Sequence, residues 1–357
     1  MREIIKRPAF AMIQKCRKAA WKADSMRFVN KRLHSSVREV VSLTNQENKD
    51  IESFFKKCGY RTNTKYHQWY YSVTGLHDVR FLPDWFLSCE LSAKLNDLRM
   101  ADAWTDKAYL ERYIPGSRNP FTLLRNVNGE LLDHAFEPIS VDNAQGILND
   151  EERVIVKPSV ESGGGMNVNA FNSPLSYEAL LSRYRSNFVV QHVLKQHPST
   201  AVFNESSVNT IRIISMLWGG VVHICGIMLR TGINGAITDN VSHGQGLSFM
   251  LYPDGKIGKV CYSFEGLAFD TVQHFGVNPD HHVASVIKAI EFIKYHHKRL
   301  LYFKLIAWDI AIEEDGEVTL VEYNTSSIGI TLFQYNVGPL FGELTQEVLS
   351  YYGHGGK

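Results

Sequence analysis

Apolar residues near the start of the chain recur loosely at helical spacing: Phe10, Ile13, Ala20, Trp21, Phe28 and Leu33 are set among Lys15, Arg17, Lys18, Lys22, Lys31 and Arg32. That pattern predicts a basic amphipathic helix. A second helix is predicted over residues 45–58, closing at Gly59, because glycine suits the left-handed position that ends a helix. Residues 81–114 carry the same periodicity, broken only near their start by Pro83, so the first 105 residues are expected to be mainly helical. The pattern then changes to short β-branched runs. Residues 153–157 and 188–193 are candidate strands flanking a glycine-rich turn. Residues 210–217 and 221–229 are joined by Gly219-Gly220, a dipeptide fit for the positive φ angles of a tight hairpin. Two more pairs follow: 247–252 with 257–262 around Pro253-Asp254-Gly255, and 306–312 with 318–323 around Asp315-Gly316. A helix over 279–301, opening at Pro279, separates these last two hairpins. The expected fold class is α+β, built on antiparallel sheets, with no internal repeat.

Composition narrows the function classes. The chain has 357 residues, 44% hydrophobic and 21% charged, with a net charge of +1. This is ordinary globular composition, and it argues against nonspecific nucleic-acid binding, which needs excess basic charge. No stretch approaches the roughly 20 apolar residues of a membrane span, and the start lacks the apolar core of a signal peptide. A cytoplasmic protein is expected. Cys16, Cys58, Cys89, Cys225 and Cys261 are widely spaced and never form C-x-x-C, so reduced, buried thiols are expected rather than disulfides or a zinc ribbon. Charge is uneven: residues 1–40 hold 11 Lys/Arg against 3 Asp/Glu. Such an arm fits two roles, peripheral contact with the inner face of a membrane or with a partner, and packing against the next domain with its basic face solvated.

Three stretches carry candidate chemistry. In Trp308-Asp309-Ile310 and Glu322-Tyr323-Asn324, the hairpin closed at Asp315-Gly316 sets Asp309 across from Glu322 and Asn324, which share a face at i and i+2. An oxygen-only cluster of two carboxylates and an amide suits Mg²⁺ bridged to substrate phosphates, while an ordinary hairpin with solvent-facing acids accounts for the stretch equally well. Lys157 ends a strand before Ser162-Gly163-Gly164-Gly165, an arrangement that can present a cation and backbone N–H groups to phosphate, or serve as a plain flexible loop. Neither G-x-x-x-x-G-K-[ST] nor G-x-G-x-x-G is present. Arg212 and Arg230 interrupt apolar strands, where each needs an anionic ligand or a structural carboxylate. His281-His282 and His296-His297 lie at the edges of the helix expected over 279–301 and are expected at the surface, without zinc-ligand spacing. No G-x-S-x-G or local nucleophile–base signature appears.

Taken in chain order, these pieces resemble the ATP-grasp superfamily, and most closely its sugar-transfer-associated proteins, which accompany polysaccharide biosynthesis. The resembling residues are Leu82-Pro83-Asp84-Trp85, Asp106-Lys107, Lys157-Pro158-Ser159 with residues 162–165, Val190-Gln191-His192-Val193, Ser207 to Arg212, Arg230-Thr231-Gly232, Asp239-Asn240, Ala307 to Ala311, Val321 to Asn324 and Gly338 to Gly342. The resemblance implies an ATP-grasp fold of two α+β lobes sandwiching ATP, laid out as a basic helical arm (1–40), a helical region (41–105), a nucleotide-binding lobe (106–195) and a core lobe with the Mg²⁺ site (196–357). It implies that Lys107 and Lys157 reach the ATP phosphates under the Ser162, Gly163, Gly164 and Gly165 loop, and that Gln191, His192 and Val193 line the adenine pocket. Gln191 stands where many relatives carry an acid, which leaves backbone contacts for that role. Asp309, Glu322 and Asn324 would hold Mg²⁺, and Arg230, with Arg212 and Asn240, would act at the γ-phosphate and the intermediate. The turn His243-Gly244-Gln245-Gly246 departs from the Gly-Gly expected after Asp239-Asn240. The implied activity is ligation of a carboxylate to an amine through an acylphosphate, on a sugar, amino acid or cell-surface precursor. Alternatives are a kinase acting on a hydroxyl and a nucleotide-binding protein without turnover.

Overall fold

The computed structural model describes residues 2–35, 39–160, 166–239, 241 and 244–356, with the backbone alone for residues 2–15. Helix α1 (Arg2–Leu33) opens the chain. Val29 is fully buried, and Met26, Phe28 and Leu33 pack against the same core. Of the expected apolar stripe, Phe28 and Leu33 face the core while Ala20 and Trp21 are exposed, and the side chains of Phe10 and Ile13 lie outside the described residues. Helix α2 (Asn45–Lys57) starts in a capping box between Thr44 and Glu47. It ends at Gly59, whose φ is +83° and whose missing Cβ would lie 2.7 Å from the Gly353 carbonyl oxygen. Helix α3 (Lys65–Thr74) follows and is buried along most of its length.

The continuous helical run expected over 81–114 is broken. Helical turns Asp84–Phe86, Leu87–Leu91 and Ser92–Leu95 give way at Asn96, and helix resumes only at Leu98–Trp104 and Leu110–Tyr113. The reason is tertiary. The Asn96 side chain donates to the carbonyls of Leu305 (2.7 Å) and Thr325 (2.6 Å) and accepts from Leu305 N–H at 2.9 Å. A side-chain amide that satisfies a distant backbone so fully outcompetes local helix.

Two antiparallel sheets follow. The smaller comprises β1 (Thr122–Val127), β2 (Glu130–Asp133), β3 (Arg153–Pro158), β4 (Asn169–Asn172) and β5 (Phe188–His192), in the order β2-β1-β5-β3-β4. The two strands expected around the glycine-rich turn are neighbours here, with β4 inserted between them in sequence. The β1–β2 hairpin, turning at Asn128-Gly129 with both φ angles positive, adds a pair the β-branched runs did not announce. The larger sheet comprises β6 (Thr210–Trp218), β7 (Val221–Gly232), β8 (Gly246–Leu251), β9 (Ile257–Tyr262), β10 (Ala268–Asp270), β11 (Leu305–Ile312) and β12 (Val318–Asn324). Its order is β10-β9-β8-β7-β6-β11-β12, which contains all three expected hairpins.

Strand alternation gives this sheet two faces. Ile211, Ile213, Phe249, Ile306, Trp308 and Ile310 form a core on the back with Ile293 of a covering helix. That helix spans Val286–His297, shorter than the 279–301 expected, because Val283 N–H donates to the Gly255 carbonyl at 2.8 Å and Ser285 adopts a left-handed φ of 59°. The expectation of surface histidines fails at its end: His297 is fully buried, hydrogen-bonded to Ser215 Oγ (2.7 Å) and the Phe303 carbonyl (3.0 Å), and His296 is 6% exposed. On the front, Ile214, Met216 and Ala307 pack with Trp69, Phe86 and Phe333, which joins the helical N-terminal region to the sheet. Among the described residues, no helix is long and apolar enough to cross a membrane.

Candidate active site

The front face of the large sheet continues past that core into a cavity of about 990 Å³, whose opposite wall is the small sheet. Register explains which side chains enter it. Asp309 pairs with Arg212 on one side and Glu322 on the other, and Thr210 pairs with Arg230. These residues therefore lie in adjacent rows on one face. A bulge in β12, where Asp309 opposes Glu322 but Ile310 opposes Leu320, turns both Val321 and Glu322 toward the cavity. Asn324 joins the lining, so the three expected oxygen donors do share one wall.

Four cations meet these acids. Arg212 grips Asp309 with two hydrogen bonds, Nε at 2.8 Å and Nη2 at 2.6 Å. Arg230 lies 3.0 Å from Asp239 and 3.4 Å from Asp309, and also donates to Thr210 Oγ1 at 2.9 Å. Both arginines thus have structural carboxylates while lining the cavity. Lys107, whose N–H is fixed on the Ser159 carbonyl at 3.0 Å, sets its ammonium 3.0 Å from Glu322. Lys157 is only 6% exposed. Burial and the nearby Lys107 charge pull its ammonium down to about 8, with Glu322 opposing. Burial would raise the Glu322 carboxyl, but Lys107 and Lys157 more than reverse this and hold it below the ordinary carboxylate range. Burial pushes Asp309 upward against the pull of Arg212 and Arg230.

The remaining expected residues divide. Gln191 and His192 line the cavity; the Gln191 amide donates to Thr122 Oγ1 at 2.9 Å, and His192 stacks on Phe121 and contacts Glu151 at 2.9 Å. Val193 is exposed and stands outside the lining, where Leu194 takes its place, because the strand ends at His192. Ser162, Gly163, Gly164, Gly165 and Asn240 lie outside the described residues. Asp239 and Thr210, which orient Arg230, fall within the resembling motifs but were given no role at the site. Asp309, Glu322 and Asn324 offer oxygen atoms alone, the ligand type Mg²⁺ prefers when phosphates complete its shell.

Residues 178–348 match the model of the sugar-transfer associated ATP-grasp family. This match bears out the resemblance to the ATP-grasp superfamily. No curated protein sequence matches the chain. Similar solved structures include D-alanyl-alanine synthetase A from Vibrio cholerae O1 biovar eltor, at 14% identity over 70% of this chain and 64% of that one, with a TM-score of 0.40. The ATP-grasp ligase PsnB complexed with minimal precursor gives 12% identity, 72% and 63% coverage and a TM-score of 0.42. VanG D-Ala:D-Ser ligase from Enterococcus faecalis gives 11%, 73%, 63% and 0.42. The chain spans less than two thirds of the length of each of these three proteins.

Proposed function

We propose that the protein is an ATP-dependent carboxylate–amine ligase that works through an acylphosphate, on a sugar, amino acid or cell-surface polysaccharide precursor. The observation that carries this reading is one cavity, walled by both sheets, in which Lys107, Lys157, Arg212 and Arg230 converge on Asp309, Glu322 and Asn324. Lys107 and Lys157 suit the ATP phosphates, with Gln191 and His192 toward the base. In the first step a substrate carboxylate oxygen bonds to the γ-phosphorus, and the bond to the β–γ bridging oxygen breaks to release ADP. Arg230 and Lys107 are placed to spread the charge of the transferred group, so that positioning and electrostatics supply the catalysis. In the second step an unprotonated amine nitrogen bonds to the acyl carbon, phosphate leaves with the C–O electron pair, and the surplus proton on nitrogen passes to that phosphate. Asp309, Glu322 and Asn324 are the residues that would hold Mg²⁺, which neutralises phosphate charge when bound.

The test is incubation with Mg-ATP, hydroxylamine and a pool of sugar acids and amino acids, read by mass spectrometry. A hydroxamate is expected, and Glu322→Gln should lower its yield by about 10²–10³ while the protein remains folded by circular dichroism. A phosphorylated hydroxyl without hydroxamate would move the assignment to a kinase. ATP binding with neither product would leave a nucleotide-binding protein without turnover.

A further inference from the structure

The cavity extends beyond its phosphate end toward the helical N-terminal region, and its wall changes character there. Trp21 and Phe28 from α1, Tyr66 from α3, Phe264 and Leu332 replace the charged rows. Two acids border this end, and they differ. Asp24 is solvent-exposed and paired with Arg27 at 2.6 Å. Asp84 is partly buried in the cavity wall, accepts the Ile330 N–H at 3.2 Å, and makes no ion pair with any described Lys, Arg or His. Burial pushes its carboxyl up to about 6, with only the Ile330 hydrogen bond opposing. An acid held out of water without a cation is costly, and a positively charged ligand group would offset that cost. Tyr66, close enough to feel the Asp84 charge, adds to the attraction, since aromatic faces favour ammonium groups.

We infer that Asp84 binds the ammonium group of the acceptor substrate and takes one proton from it to leave the free amine, and that the aromatic wall from α1 and α3 receives the acceptor's apolar body. This rests on the ligase reading only in taking the bound cation to belong to the acceptor. The acceptor class is then an amine carrying a hydrophobic or ring-shaped portion, and α1 forms part of the substrate pocket. Arg32 fixes that helix in place: its guanidinium lies 3.5 Å from the Phe28 ring centroid and donates to the Phe264 carbonyl at 3.1 Å.

The full chain is titrated near neutral pH with phenethylammonium chloride and with 2-phenylethanol, its uncharged counterpart, by calorimetry. The ammonium probe should bind tighter by about tenfold or more. Absence of binding by the ammonium probe, or equal binding of the two, overturns the inference with no variant required. Asp84→Asn keeps an acceptor for Ile330 N–H and should erase the preference; a preference that survives also overturns it. If the wild-type protein forms no hydroxamate with any carboxylate, the ligase reading fails, and ammonium selectivity is still decided by the titration.

Discussion

Lys157 sits where burial, a second lysine and a carboxylate compete for its proton. With the folded value near 8 and the unfolded value near 10.5, the unfolded chain holds more protons between these limits. The ligand-free protein should therefore gain stability from this group as pH rises through that window. A phosphate chain reverses the balance by favouring the charged form. Binding of ATP at pH 8 should take up a fraction of a proton, measured by calorimetry in buffers of different ionisation enthalpy. Lys157→Met should abolish the uptake; an unchanged value would remove Lys157 from the phosphate site. The residues alone left open whether Arg212 and Arg230 meet an anionic ligand or a structural carboxylate. An arginine in an apolar strand signals an anion, but only the β6–β11 register shows that Arg212 meets Asp309.

At the scale of elements, α1 is the instructive case. Its basic composition fits a membrane surface, yet the described part is docked: Val29 is buried, Ser25 and Tyr66 share a 2.5 Å hydrogen bond, and Lys65 reaches Asn30 at 2.7 Å. Val29→Ala should destabilise the protein by about 2 kcal/mol through the cavity it leaves. Deleting residues 1–40 should lower the melting temperature further, because it also uncovers α3 and removes the Arg32 contact. An unchanged thermal transition in both variants would show that docking of α1 adds nothing to stability. Hairpins were the most legible elements, since alternation and glycine turns are local signals. The helical reading of 81–114 failed because Asn96 answers to backbone some 209 residues away, which periodicity does not record.

At the scale of the whole molecule, the phosphate end of the cavity lies between the two sheets, so a ligand that touches both should tie them together. Mg-ATP at about 100 times its dissociation constant should add roughly 2.7 kcal/mol of stability by mass action. Thermal unfolding should shift upward by several degrees, and EDTA should reverse most of the shift if metal joins Asp309, Glu322 and Asn324 to the phosphates. A shift insensitive to EDTA would remove these residues from metal binding. The sequence by itself determined the antiparallel hairpins, the common face of Asp309, Glu322 and Asn324, and the strand position of Lys157, because strand periodicity and turn chemistry act over a few residues. Only the tertiary structure decided that Glu322 pairs with Lys107, that Asp239 orients Arg230, and that α1 brings Trp21 and Phe28 into the cavity that Asp84 also lines. Those contacts join segments far apart in the chain, and they are selected by the packing of sheets and helices on shared cores rather than by any local pattern.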